Sequence, residues 1–333
     1  MSKIKSIPTL TLATATLAAA SLTTIGLHPA SAASVPAAAS AAAASAKPTG
    51  SHIAVHFNLS TGQTPENIAL SPSGIAYVTF AVARQVAQIT LDGTTRILAT
   101  LPAPAGGANH TPVLGFPLTS GIVRDTNGTL YFLYATGTPD LTGLWRLRPG
   151  GTPERIAALP ATGLPNGLAL DHHTGTLYIA DSVLGTIWQV PKTGGTPKAW
   201  STAPELSSTG FLGANGLKLR GGAVWVTNLD QGTLLRIPIN QHEKAGKLQT
   251  KATGLAGIDD FEFTGRGNEI VAAIDSAGTV VLIRPDGTQK TLLTAADGLQ
   301  NPTSVAVRGN TAYVLSAAYL TQQDPNLVIA PIH

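Results

Sequence analysis

The chain has no cysteine among its 333 residues. That excludes disulfides, and it excludes a lipid anchor attached through a cysteine. Charge is scarce too. Asp, Glu, Lys and Arg make up 12% of the chain, against a usual quarter. No basic cluster occurs, which argues against nucleic acid as a partner. No Gly-x-Ser-x-Gly is present, so the strained serine elbow of the α/β-hydrolase esterases is missing. Beyond the N-terminal segment no helical period of ten or more residues can be traced, which argues against an α/β fold. What is abundant is glycine, at 35 residues, together with frequent threonine. That mixture favours many short strands joined by tight turns.

The N-terminus has its own composition. Lys3 and Lys5 give a positive start, an apolar run follows from about Pro8 to Leu27, and Ala30-Ser31-Ala32 supplies a small-x-small cleavage pattern. Residues 1–32 are expected to be a secretory signal peptide. A membrane anchor is the other reading of the same run; its Thr and Ser content and the cleavage pattern favour removal. The protein is therefore expected to be secreted, without a stable membrane anchor. Loss of the two lysines leaves 19 basic against 18 acidic residues, so the formal charge of +3 signals little. Residues 33–50 are rich in Ala, Ser and Pro and read as a linker. Residues 51–333 form the folded domain, large enough to stand on its core alone.

A repeat runs through that domain. The clearest unit starts at Pro165-Asn166-Gly167-Leu168-Ala169-Leu170, passes a turn at Asp171 to Gly175, and continues as Thr176 to Ala180. Gly185 to Val190 and Thr196 to Trp200 complete four short strands separated by turn residues. Matching units begin at Glu66, Ser120, Asn215, Asp259 and Thr303. The spacing averages about 47 residues, the length of a four-stranded propeller blade. Ten to twelve residues after each start stands Tyr77, Tyr131, Tyr178, Trp225, Val271 or Tyr313. These large side chains are expected to fill the space between blades. The reading is an all-β, six-bladed β-propeller with four-stranded blades. The sixth unit has room for only three strands, and an orphan strand-like run, Ile53 to Phe57, precedes the first. The N-terminal strand is therefore expected to join the last blade and close the ring. A β-sandwich or lectin-like barrel is the alternative, and regular repetition argues against it.

In a propeller the first strand of each blade lines the central tunnel. The column of starts, Glu66, Ser120, Asn166, Asn215, Asp259 and Thr303, bears oxygen throughout and includes two carboxylates. Hard cations such as calcium take several such ligands. Carboxylates converging without a nearby Lys or Arg repel one another, and a divalent cation relieves this. Asn-Gly and Asp-Asp also occur at strand starts for purely backbone reasons. Asp260, next to Asp259, is expected to point the other way along the strand.

This column, with the phrases Leu-Pro-Asn-Gly-Leu-Ala-Leu at 164–170 and Leu-Tyr-Ile-Ala-Asp-Ser at 177–182, resembles the gluconolactonase/regucalcin (senescence marker protein) family of six-bladed propellers. The resemblance covers most of residues 60–315; it is strongest at 160–240 and weak in the second blade. It implies a divalent metal, calcium above all, at the tunnel mouth, with Glu66, Asn215 and Asp259 as ligands and Asn166 holding a water or the substrate. It also implies hydrolysis of a lactone or related ester, with Asp259 orienting or deprotonating the attacking water. Ser120 and Thr303 complete the ring as substrate or second-sphere contacts. One departure matters: sugar-lactone members carry an Arg where this chain has Leu164, which points to a less polar substrate. The loop from Pro102 to Pro117 is no family landmark and is placed at the pocket rim, with His110 facing solvent. His172 and His173 fall in a turn, and Asp181 and Asp275 are expected to order turns. Asn58 and Asn127 fit the N-glycosylation pattern. The alternative function is a non-catalytic, NHL-like propeller that binds a protein, glycan or small ligand. Carbon–carbon bond formation, as in strictosidine-synthase relatives, has no specific residue in its favour.

Overall fold

The computed structural model describes residues 50–90, 92–107 and 110–332. The expected leader over 1–32 lies outside these residues, as does the linker over 33–50 apart from Gly50. Six four-stranded antiparallel sheets make up the domain. Their inner strands are Pro65–Leu70, Leu118–Arg124, Pro165–Asp171, Ala214–Leu219, Ile258–Phe263 and Pro302–Arg308. Each packs against the inner strand of the next blade, and the sixth returns to the first. The architecture is a six-bladed β-propeller. Among the described residues the only helices are single 3₁₀ turns, and no helix is long and apolar enough to cross a membrane.

The core is divided by blade interface. Six apolar clusters each draw on two adjacent blades. Every member of the large-residue column falls in the cluster shared with the following blade: Tyr77, Tyr131, Tyr178, Trp225, Val271 and Tyr313. Aromatic edge contacts lie within these clusters. Tyr178 meets Trp200 with centroids 5.2 Å apart, and Trp225 meets Phe263 at 5.4 Å, a geometry that adds to simple burial.

The inner strands are not regular. In all six the pairing with the second strand shifts register near its start, at Pro65/Asn67, Thr119/Ile122, Pro165/Leu168, Ala214/Leu217, Ile258/Phe261 and Pro302/Ser304. Such bulges break the in–out alternation of a strand and re-aim side chains. They fall on the residues of the polar column. In blades 2, 3 and 4 the next residue is Gly121, Gly167 or Gly216. A Cβ there would lie 2.3 Å from the Asn166 carbonyl oxygen, 2.0 Å from that of Asn215 and 2.6 Å from that of Asp259. The Asn-Gly pairs are thus not turns: the glycine lets one blade's backbone press against the next at the axis.

His52–His56 pairs antiparallel with Asn326–Pro331 as the outermost strand of blade 6. Val55 and Phe57 are buried in the seam between blades 6 and 1, where Phe57 sets its edge on Phe80 at 5.0 Å. Deleting residues 51–59 removes these side chains and bares the edge of Asn326–Pro331. At roughly 1.5–3 kcal/mol per buried apolar side chain, the thermal midpoint is expected to fall by about 10 °C. An unchanged midpoint in a thermal melt would show that the strand contributes nothing to the ring.

Candidate functional site

The bulges gather the polar column at one end of the tunnel. Glu66, Asn166, Asn215 and Asp259 all line a single cavity of about 390 Å³. Each is largely buried. Asn215 Nδ2 donates to Asp259 Oδ1 at 2.9 Å, and Tyr319 donates its hydroxyl to Glu66 Oε2 at 2.6 Å. Asp275 also lines the cavity, with its Oδ1 buried and without a hydrogen bond. It sits just past the second strand of blade 5, where Ser182 and Leu229 stand in blades 3 and 4. The reading of Asp275 as a turn-ordering residue is therefore corrected: leaving the strand, its side chain is directed to the cavity. Asp181 does order its turn, accepting from the backbone N–H groups of Leu164, Val183 and Leu184.

Ser120 and Thr303 stand elsewhere. Neither lines the cavity. Ser120 Oγ donates to the Pro165 carbonyl at 2.9 Å and Thr303 Oγ1 to the Pro65 carbonyl at 3.0 Å. Both hydroxyls stitch one blade to the next.

Asp260 departs from the alternation argument. The bulge lets it face the axis directly after Asp259. It is 2% exposed, and its Oδ2 accepts from Asn67 Nδ2 at 2.9 Å, Lys218 Nζ at 2.9 Å and Ser304 Oγ at 2.8 Å. Blades 1, 4, 5 and 6 are thereby tied across the tunnel. Asp260→Ala would strand the Lys218 ammonium in the interior, at a cost of about 3–5 kcal/mol. Urea unfolding should show that loss, and a smaller one for the double replacement Asp260→Leu with Lys218→Met.

The cavity is electrostatically one-sided. Three carboxylates line it, and no Lys, Arg or His does so among the described residues. Burial away from water pushes Glu66 up from an ordinary 4.5 to about 7; the Tyr319 hydroxyl opposes the shift, while Asp275 and Asp260 add to it. Burial likewise takes Asp275 to about 6. Asp259 is raised well above the usual carboxylate range, by burial first and then by the charges of Glu66, Asp275 and Asp260. An acid whose folded value exceeds its unfolded value contributes most stability below the unfolded value, and loses it as pH rises to the folded value. With cations chelated, the melting temperature is therefore expected to fall between about pH 4.5 and 7, and Glu66→Gln should flatten that slope. A melting temperature that climbs across this window would contradict the assignment.

By donor type the floor suits a hard divalent cation: three carboxylates and two amides line it, and the buried Asp275 Oδ1 lacks a partner. No three of His, Cys, Asp and Glu are grouped closely enough to hold a metal among the described residues, so amide oxygens would have to complete the set. Asn215 can supply one. The single proton of Ser182 Oγ faces two acceptors, the Ala214 carbonyl at 2.8 Å and Asn215 Oδ1 at 3.1 Å. Turning the amide over gives that hydroxyl a donor to accept from and places an amide oxygen beside Asp259. Two oxygens so placed need a proton or a cation between them.

Above the floor the walls are apolar. Leu114 and Phe116 come from the 102–117 loop, Phe211 and Leu212 from the loop before the inner strand of blade 4. The second loop is anchored by Asp230, whose carboxylate accepts from the N–H groups of Thr209, Gly210, Phe211 and Leu212. Phe116 stacks on Tyr319 at 5.7 Å. Leu164 is fully buried behind this wall beside Leu118 and Leu212. His110, His172 and His173 are exposed and outside the cavity.

No family model matches the sequence, and no curated protein does. Solved structures do match. Regucalcin from Agrobacterium tumefaciens, described as a calcium-binding protein, aligns with a TM-score of 0.60 at 16% identity, over 81% of this chain and 90% of that one. A gluconolactonase from Xanthomonas campestris gives 0.59 at 14% identity, over 82% and 87%. The chain shares the fold of these six-bladed propellers. Virginiamycin B lyase from Staphylococcus aureus, in an inactive histidine-to-alanine form with quinupristin, gives 0.55 at 14%, over 83% and 98%. Relatedness at this identity concerns the fold. Sequence reasoning found the column and placed the 102–117 loop at the rim, where Leu114 and Phe116 line the cavity; it missed Tyr319 and Phe211, which lie in loops that no repeat aligns, and it misread Asp275, whose counterparts in the other blades carry no common residue type.

Proposed function

We propose that the chain is an exported, divalent-cation-dependent hydrolase of lactones or related esters. The observation that carries this reading is the uncompensated cluster of carboxylates and amides on the floor of one apolar-walled cavity. Glu66, Asn215 and Asp259 would hold the ion, with calcium the first candidate. When bound, such an ion polarises an ester carbonyl and favours the developing oxyanion.

The remaining work falls to the chain. Asp259, at the floor of the cavity and raised above the usual carboxylate range by burial, is placed to take a proton from the attacking water as general base. Asn215, turned over so that its oxygen joins Asp259 Oδ1 toward the ion, would leave Asp259 Oδ2 for that water. Asn166 offers an amide to the substrate from the neighbouring blade. Tyr319 holds Glu66 in one orientation. Water adds to the carbonyl carbon, the acyl–oxygen bond breaks, and the proton taken by Asp259 goes to the leaving oxygen. No histidine lines the cavity among the described residues, which counts against a lyase that depends on one.

Asp259→Asn is expected to lower turnover by about 10²–10⁴-fold with an unchanged fold by circular dichroism, because the site is mounted on a ring it does not support. A fully active Asp259→Asn enzyme would refute the assignment. Calorimetry should give one calcium bound per chain, lost in Glu66→Gln. The sparse grouping of acid ligands keeps a second reading in play, a binding propeller without catalysis. Calcium binding with no turnover on a broad lactone panel would favour it.

A further inference from the structure

The cavity that carries the proposed reaction has two unlike halves, and their contrast bears on the ligand. The floor is acidic. The upper wall is built from Leu59, Leu114, Phe116, Phe211, Leu212 and Leu320. Phe211 is 46% exposed and Leu320 is 71% exposed, so two large apolar side chains stand at the mouth in contact with water. The Phe116–Tyr319 stack makes the other side of the mouth a flat aromatic face. Among the described residues, Thr64, Tyr319 and Gln322 are the only hydroxyl or amide side chains in the lining besides the asparagines of the floor, and the Tyr319 proton already goes to Glu66.

Three ligand classes can be weighed against this lining. An anion would meet three carboxylates and, among the described residues, no lysine, arginine or histidine to receive it. A polyhydroxylated ring would place hydroxyls against leucine and phenylalanine, and each one left unpaired costs about 1–3 kcal/mol. A neutral molecule with one polar end and one hydrocarbon tail satisfies both halves at once. Its carbonyl reaches Asn166 and the floor, and its tail lies along the wall to the mouth.

We infer that the site takes neutral lactones or esters bearing an aliphatic tail, with the carbonyl at the Asn166/Asn215 floor and the tail between Phe116, Phe211 and Leu320. This rests on the hydrolase reading for the chemical step, but the recognition stands apart from it. Asp230, by capping four consecutive N–H groups of the Thr209–Leu212 segment, keeps Phe211 and Leu212 in place for the tail. Isolated exposed apolar residues are ordinary on protein surfaces; apolar residues converging on the mouth of a cavity mark a ligand site.

The test uses the full-length chain and two homologous series. One is δ-lactones with alkyl substituents of two to eight carbons. The other is 2-alkylcyclohexanones of the same lengths, which keep the carbonyl and cannot be hydrolysed. Binding of the ketones by calorimetry is expected to tighten by about fourfold per added methylene until the tail passes Leu320, and hydrolysis of the lactones should follow the same order. Leu320→Asp and Phe211→Asn, both at exposed positions, should cut affinity for the longest ketones at least tenfold. Glucono-δ-lactone and alkyl carboxylates should not compete. Affinity independent of tail length, or preference for glucono-δ-lactone, would overturn the inference and leave the hydrolase reading intact. Length-dependent ketone binding with no lactone turnover would support the inference and sink the hydrolase.

Discussion

The charge around the tunnel axis constrains the whole site. Glu66, Asp259, Asp260 and Asp275 act on one another electrostatically, and the one ammonium among them, Lys218, is bonded to Asp260. The lower layer has its own counter-charge: Asp260 Oδ2 meets a cation and two further donors, and although its Oδ1 is buried without a partner, the residue behaves as a structural knot. Among the described residues the upper layer has no such partner. Glu66 has a phenol, Asp259 an amide, and Asp275 an orphaned oxygen. Consecutive residues, Asp259 and Asp260, thus serve opposite purposes. The bulge makes this possible, since a regular strand would have sent one of them into a blade interface.

The parts that were legible in the sequence were those that repeat. Six polar starts and six large residues recur because each blade solves the same packing problem, so their spacing reveals the ring and the column at its mouth. Departures from periodicity were not legible. Asp260 was expected to face away because alternation assumes an unbroken ladder, and all six inner ladders are broken. The hydroxyls of Ser120 and Thr303 share the column yet bond to backbone carbonyls, since short side chains reach the neighbouring strand before the cavity. Tyr319, Phe116 and Phe211 sit in connections whose lengths differ from blade to blade, where repetition carries no information.

Those connections carry the strain in the site. Asn301, Ala318 and Gln322 have φ values of 58°, 56° and 52°, a region that costs a non-glycine residue roughly 1–2 kcal/mol. Asn301 links the two stretches: its Oδ1 accepts from Leu320 N and Thr321 N, and its Nδ2 donates to the Asp275 carbonyl. The strained turn thereby sets Tyr319 over Glu66 while fixing the backbone of Asp275. Strain that persists at such a point is held there by its surroundings, and here it joins a rim residue to two of the three acids on the floor.

The division between ring and rim explains how one scaffold can hold a destabilised site. Six interface clusters bury the blades against one another without using any acid of the floor. A seventh, small cluster joins Leu118, Leu164 and Leu212 under the rim and touches Phe116 and Tyr319. Leu164 belongs to it, so the position at which an arginine would face a sugar acid is here part of the hydrophobic support for the wall. Replacing that leucine with arginine would do more than add a charge: it would put a long polar side chain into the apolar cluster that supports Phe116 and Leu212. The apolar character of the wall is therefore built into the packing below the cavity as well as its visible lining.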